Sequence, residues 1–331
     1  MASIDVMDSR SPAPAGPADG AGHWSTFHLQ RPDGAQLRLG VWQDGVGDAP
    51  SGQRGTCVLV NGRSEFLEKY AEQAGEWAAR GWRVVSFDWR GQGLSSRPLA
   101  NRQKGHIDDF TTYLEDLDAI LATLCPPTGP VIAFAHSMGG HLMLRHALDC
   151  DMALEVPRLN ALILSAAMLE VHTAPLPHRV VSLLAALACH RGRAEDYAPG
   201  QHDFDPATAQ TFANNPLTGD AERFRVALDA YAAQPDLILG GVTYGWLAAA
   251  CRSIDHLRRI NVANLTLPVQ FLAAGNDRVV RSSALRTMSR RLPNAQFHRY
   301  PGAQHELMME RNAIRQAVWA DIDDFLEDQG F

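Results

Sequence analysis

Two spacings of apolar residues alternate along the chain. STFHLQ (25–30) and AQLRLGVW (35–42) place apolar side chains at every second position, and the Arg31-Pro32-Asp33-Gly34 turn between them predicts a hairpin. TCVLVNG (56–62) is a short β-branched run that stops at a glycine, so it reads as a buried strand. In residues 65–81 the spacing changes: Phe66, Tyr70, Ala74 and Ala78 form one stripe at helical period, ended by Gly81. The cycle repeats with a strand over 82–89, a helix over 108–124, a strand over 131–136, a helix from Met138 and a strand over 161–166.

From about residue 169 to 251 the alternation lapses into helix-like pieces broken by Pro and Gly, with no convincing strand. It resumes with a strand over 268–275, a helix around 282–292 and a strand over 296–302. A final helix follows, whose stripe is Ile314, Val318, Ile322, Phe325 and Leu326. Continuous apolar strands alternating with amphipathic helices indicate a mostly parallel sheet covered on both faces, an α/β fold. There is no internal repeat. The expected organisation is a core of residues 23–168 and 252–331, interrupted after its sixth strand by a helical cap over 169–251.

Composition narrows the reading. A formal net charge of −7 argues against nucleic acid as the main partner, because phosphate neutralisation needs a basic face. The cysteines (Cys57, Cys125, Cys150, Cys189, Cys251) are five, scattered and free of CxxC spacing, which points to buried thiols rather than disulfides or a zinc site. Residues 1–22, rich in Ala, Pro, Gly and Asp, lack the basic start and apolar run of a signal peptide and are expected to be a disordered tail. The apolar run LLAALAC (183–189) is far too short to span a bilayer. A soluble cytoplasmic protein is expected.

The chemistry centres on AHSMG (135–139), where a buried strand meets a helix with no loop residues to spare. Such a junction holds Ser137 on a strained turn, and it needs small residues two before and two after because the strand and helix backbones nearly touch. Gly139 meets that need, and Ala135 adds one methyl group. By itself Ser137 reads equally as a helix cap. A serine hydroxyl needs a base. His136 is excluded as that base, since adjacent residues point to opposite sides, and is read as structural. His305, in PGAQHELM (301–308), follows the last strand at the sheet edge where Ser137 lies. Asp277, in AAGNDRVV (273–280), is the carboxylate after the penultimate strand; its other reading is a turn former. The order Ser…Asp…His is that of α/β-hydrolases. Backbone N–H groups of Met138 and Arg63 are the candidate oxyanion donors, with Gly62 permitting close approach.

NGRSEFLEKY (61–70), FDWRGQGLSSR (87–97), AHSMGGH (135–141), GNDRVV (275–280) and GAQHE (302–306) occur in an order that resembles the α/β-hydrolase branch containing bacterial lysophospholipases and monoacylglycerol lipases. The resemblance covers nearly the whole chain after the tail. It implies an α/β-hydrolase fold with Ser137, Asp277 and His305 as the triad and Arg63 and Met138 as oxyanion donors. GGVTYGWLAAA (240–250) and Ala135 look more like the bacterial lysophospholipases than the eukaryotic lipases. One departure stands out: the lipases begin the oxyanion loop with His-Gly, and here it is Asn61-Gly62, so substrate identity does not carry over. In the DWRGQG run, Asp88, Arg90 and Gly91 are read as loop scaffolding, with a substrate clamp at Arg90 as the other reading.

The resemblance implies a serine hydrolase of lipid-like carboxylic esters, lysophospholipid or monoacylglycerol, working through an acyl-enzyme on Ser137 with no metal or cofactor. The alternatives are a small-molecule carboxylesterase, a serine peptidase like the related aminopeptidases, or a non-catalytic binding protein of the same fold. The apolar segment 175–190 either lines an acyl channel or touches a membrane surface transiently, or else it packs the cap onto the core. Tyr244 and Trp246 either border the substrate pocket or fill the cap.

Overall fold

The computed structural model describes residues 22–44, 54–149, 158–173, 175–206 and 211–331. The expected N-terminal tail, apart from Gly22, and Cys150 lie outside the described residues. Eight strands form one sheet in the order β1-β2-β4-β3-β5-β6-β7-β8. The strands are β1 (His23–Gln30), β2 (Gln36–Gln43), β3 (Gly55–Val60), β4 (Trp82–Phe87), β5 (Val131–His136), β6 (Ala161–Ser165), β7 (Val269–Ala274) and β8 (Ala295–Tyr300). The β1–β2 hairpin pairs antiparallel and joins antiparallel to β4; every pairing from β4 across to β8 is parallel.

The period of two along the central strands divides the core into two layers. Cys57 and Leu59 of β3 and Ile132 and Phe134 of β5 face α1 (Ala71–Ala79) and α8 (Asn312–Asp328), where they meet Trp77, Val318, Ile322 and Phe325. Val58 and Val60 of β3 and Ala133 and Ala135 of β5 face the other way. There they meet α2 (Thr111–Leu124), α3 (Ser137–Asp149) and α7 (Ser282–Ser289) through Leu117, Leu142 and Leu285. The stripe expected over residues 66–78 is split: a 3-10 turn at Leu67–Tyr70 precedes α1, with Phe66 extended ahead of it.

Between β6 and β7 the chain leaves the sheet for three helices, α4 (His178–His190), α5 (Ala221–Ala233) and α6 (Tyr244–Arg259), with no named strand among the described residues there. Helix α6 crosses residue 251 and packs into the core through Trp246, Ala249, Ala250 and Leu257. Helix α4 turns Ala185 and Ala188 inward, where both are buried, and His178 pairs with Asp255 of α6 at 3.1 Å. The leucines point the other way, with Leu183 69%, Leu184 48% and Leu187 40% exposed. Packing onto the core therefore does not account for that apolar face. Cys57, Cys125 and Cys251 are buried free thiols, whereas Cys189 is half-buried.

Candidate active site

The sequence-nominated triad and oxyanion candidates come from the carboxyl edge of the parallel strands, where every strand end delivers a loop to the same rim. Ser137 follows β5, Asp277 follows β7, His305 follows β8 and Arg63 follows β3. Ser137 has φ +50°, a left-handed conformation that a non-glycine residue adopts only when its surroundings impose it. Those surroundings are close. A Cβ on Gly139 would lie 2.5 Å from the Asn61 carbonyl oxygen, and one on Gly140 would lie 2.8 Å from the Ala167 Cβ. The departure at Ala135 is accommodated, because its methyl is fully buried on the α3 side of the sheet.

His305 Nε2 lies 2.9 Å from Ser137 Oγ, and His305 Nδ1 lies 2.8 Å from Asp277 Oδ2. With the proton on Nδ1 donated to the carboxylate, Nε2 is left to accept the serine O–H. Asp277 is fixed by its other oxygen, which accepts from the N–H groups of Val279 and Val280 at 2.8 and 2.9 Å. Burial pushes its carboxyl upward, but the hydrogen bond and charge of His305 and those two N–H groups outweigh it and hold it below the ordinary range. The relay is enclosed: Ser137 is 7% and His305 3% exposed.

The oxyanion loop is pinned on both sides of Arg63. Gly62 N–H donates to Glu65 Oε2, and Ser64 N–H donates to Gln92 Oε1 at 3.1 Å. Gln92 Nε2 returns a bond to the Gly62 carbonyl at 3.0 Å. Between them the Arg63 N–H has no acceptor among the described residues. Gly62 sits against the nucleophile, since a Cβ there would lie 3.1 Å from Ser137 Cβ. The other candidate donor, Met138 N–H, stands in the first turn of α3, where a helix offers no acceptor of its own. Neither the Arg63 nor the Met138 N–H has an acceptor among the described residues.

Beneath the site lies a buried charged network that the sequence reading missed. Lys69 Nζ bonds Glu65 Oε1 at 2.7 Å and Glu306 Oε1 at 2.6 Å, and Tyr70 donates to Glu65 Oε2 at 2.6 Å. Lys69 thus ties the oxyanion loop, through Glu65, to the residue next to His305. Burial opposes ionisation of Glu65, but Lys69, His136 and Tyr70 hold its pKa down at about 2, while burial keeps Glu306 above its ordinary range. Glu65, His136 and Glu306 bring ligand-type atoms within 4.8 Å of one another, but the Lys69 ammonium already supplies the cation there. The i,i+4 spacing of Glu65 and Lys69 is the one sequence signal for this network.

His136 faces the α1 side of the sheet, its Nδ1 3.1 Å from the Ser165 carbonyl, so it does not serve Ser137. Arg90 is spent on scaffolding: it makes a fork to Asp116 at 2.7 and 2.8 Å and reaches Asp33 at 2.6 Å. Asp88 organises the same turn by accepting from Leu67 and Leu94 N–H at 3.0 and 2.9 Å. Trp246 is buried against Phe110 with ring centroids 5.6 Å apart, and Tyr244 is half-buried beneath Arg193.

A parallel sheet with a strained serine between strand and helix, and with an aspartate and a histidine on later strand ends, is the architecture of an α/β-hydrolase. The Hydrolase_4 family, described as serine aminopeptidase, S33, matches residues 51–312, and the chain belongs to it. It is 28% identical to a probable lysophospholipase L2 of Haemophilus influenzae over 84% of this chain and 86% of that protein. To the lysophospholipase L2 of Escherichia coli K12 it is 30% identical, over 81% and 79%. Among solved structures, a soluble variant of monoglyceride lipase from Saccharomyces cerevisiae in complex with a substrate analog shares the fold. The TM-score is 0.72 at 19% identity, covering 96% of this chain and 99% of that one.

Proposed function

We propose that the protein is a serine ester hydrolase of lipid substrates, lysophospholipid or monoacylglycerol, with residues 169–251 and the remainder of α6 as its cap. The observation that carries the reading is the Ser137–His305–Asp277 relay on a serine held at φ +50°. In this mechanism His305 Nε2 takes the Ser137 proton as Oγ attacks the ester carbonyl. The N–H groups of Met138 and Arg63 receive the oxyanion, each donor being worth about 100- to 1000-fold in rate. His305 then protonates the leaving alcohol, and a water activated by the same imidazole releases the acyl group. The curated relatives named lysophospholipases support the lipid ester as substrate.

The exposed leucines support a finer step. Val180, Leu183, Leu184 and Leu187 recur at helical spacing on the outer side of α4, with Arg179 at one end and Arg191 just past the other. An apolar face flanked by cations suits a phospholipid surface, and we assign α4 to transient contact with the membrane that holds the substrate. Among the described residues no helix is long and apolar enough to cross a bilayer.

The family description favours a second reading, an aminopeptidase. Such an enzyme must receive a substrate ammonium, and the buried carboxylates beneath this site, Glu65 and Glu306, are already paired with Lys69. Fluorophosphonate labelling of wild type and Ser137→Ala, with hydrolysis of monoacylglycerol, lysophospholipid, acetyl esters and aminoacyl amides, tests the assignment. Labelling lost in Ser137→Ala and a preference for long-chain lipid esters are expected. Equal labelling of both proteins, or a preference for acetyl esters or amides, overturns it.

A further inference from the structure

Buried cations in this protein have carboxylate partners: Arg38 pairs with Asp88 and Glu68, Lys69 with Glu65 and Glu306, Arg315 with Glu72 and Glu76. That is what the cost of removing a charge from water demands. Arg97 has no ion pair among the described residues, but its Nη1 and Nη2 donate to four carbonyls, those of Gly91, Gly93, Arg102 and Asp236, leaving only Nε without a partner. Arg63, half-buried with its Nε out of reach of solvent, follows neither pattern. Its Nη1 donates to Ser64 Oγ at 3.0 Å and its Nη2 to the Gly240 carbonyl, both neutral acceptors, and no carboxylate among the described residues pairs with it. A guanidinium has five N–H donors, so these two bonds leave most of them unspent. Nε is buried without a partner.

The place of this charge matters as much as its lack of a counter-ion. Arg63 follows Gly62, whose Cα stands against Ser137, and its side chain runs from the oxyanion loop to the inserted helices. There the guanidinium lies 5.7 Å from the Trp246 ring centroid, and Gly105 approaches so closely that a Cβ would sit 2.8 Å from Nη2. The two neutral hydrogen bonds and the indole fix the guanidinium, and its charge is left for something that the protein does not provide. Burial lowers its pKa to about 10, which still leaves it a cation at neutral pH.

We propose that the Arg63 guanidinium binds the phosphate of a glycerophospho head group, making this a lysophospholipid rather than a monoacylglycerol enzyme. The inference rests on the lipid-ester reading above. In a lysophospholipid the phosphate stands a glycerol backbone away from the ester carbonyl. In the proposed complex the backbone N–H of Arg63 meets the carbonyl oxygen and its side chain meets the phosphate. A monoacylglycerol offers the same ester and nothing for the guanidinium. Charge-assisted bonds of this kind correspond to about ten- to a hundredfold in selectivity.

The experiment compares kcat/KM for 1-palmitoyl-lysophosphatidylethanolamine and 1-palmitoylglycerol in wild type, Arg63→Met and Arg63→Lys. The readout is the ratio of the two substrates within each protein, so partial inactivation of a variant cancels. Wild type is expected to favour the phospholipid, Arg63→Met to lose about tenfold or more of that ratio, and Arg63→Lys to recover part of it. A ratio unchanged by Arg63→Met overturns the proposal and leaves Arg63 as a tether between loop and cap, while the lipid-ester reading survives. Failure of wild type to hydrolyse either lipid overturns both. If Arg63→Met does not fold, inhibition of wild-type p-nitrophenyl butyrate hydrolysis decides. Glycerol 3-phosphate is expected to compete at least tenfold more strongly than glycerol, and equal inhibition overturns the proposal.

Discussion

The His136 ring stands 4.8 Å, centroid to centroid, from the His305 ring, yet only His305 reaches Ser137. The two are divided by strand geometry: His136 ends β5 on the α1 face, while Ser137 turns out at the sheet edge. Burial holds the His136 pKa down at about 4, against the pull of Glu65, with Lys69, His305 and Asp277 also facing it. A histidine whose folded value lies below its unfolded value of 6.5 stays neutral in the native state while the unfolded chain takes up a proton. Stability is therefore fully present above pH 6.5 and is lost as pH falls towards about 4. The loss approaches roughly 3 kcal/mol. Thermal unfolding of His136→Gln across this window is expected to show a shallower acid slope than wild type. Parallel slopes would contradict a neutral buried His136.

Asp277 orients the His305 tautomer without touching Ser137. Asp277→Asn is expected to lower kcat by on the order of 10⁴ while KM changes little, as measured by steady-state hydrolysis of a soluble ester. A loss confined to KM would mean that the carboxylate serves binding instead.

Lys69 holds two buried carboxylates from different loops, so its removal leaves them uncompensated. Lys69→Met is expected to cost about 3–5 kcal/mol in denaturant unfolding, because a buried ion pair is broken from one side only. The loops it joins carry His305 and the proposed oxyanion donor Arg63 N–H, so kcat is expected to fall more than KM rises. Stability within error of wild type would show that the network is not closed in solution.

Gly139 admits no side chain, since its Cβ would meet the carbonyl oxygens of Asn61 at 2.5 Å and Val60 at 2.7 Å. Gly139→Ala is expected to cost about 1–3 kcal/mol by overpacking and to impair fluorophosphonate labelling as the serine turn shifts. Ala135→Gly relieves no contact and is expected to label like wild type.

The outward leucines of α4 make a separate test. Leu183 is 69% exposed, so Leu183→Glu is expected to change stability by less than about 0.5 kcal/mol. Its partition onto anionic vesicles in a sedimentation assay is expected to fall several-fold if α4 meets the membrane. Undiminished partition would assign the face to another role.

Period-two and period-3.6 patterns suffice to order the strands and core helices, because every central strand is buried on both faces and every core helix on one. The same patterns, with one serine at a strand–helix junction and two polar residues at later strand ends, place Ser137, Asp277 and His305 at a common rim. Those relations are set by topology, which the order of elements carries. What the order of elements does not carry is decided in three dimensions. Glu65 and Glu306 are 241 residues apart, and only folding brings both to Lys69. Gln92 lies in a run legible as scaffold, and its clamp on Gly62 and Ser64 depends on how two loops fold back on each other. The apolar segment 175–190 is equally hydrophobic whether it faces core or solvent, and only the packing shows Ala185 and Ala188 turned inward and Leu183, Leu184 and Leu187 outward. The guanidinium of Arg63 has the same charge in any sequence context. Its lack of a counter-ion is a property of the space around it, which the linear chain does not encode locally.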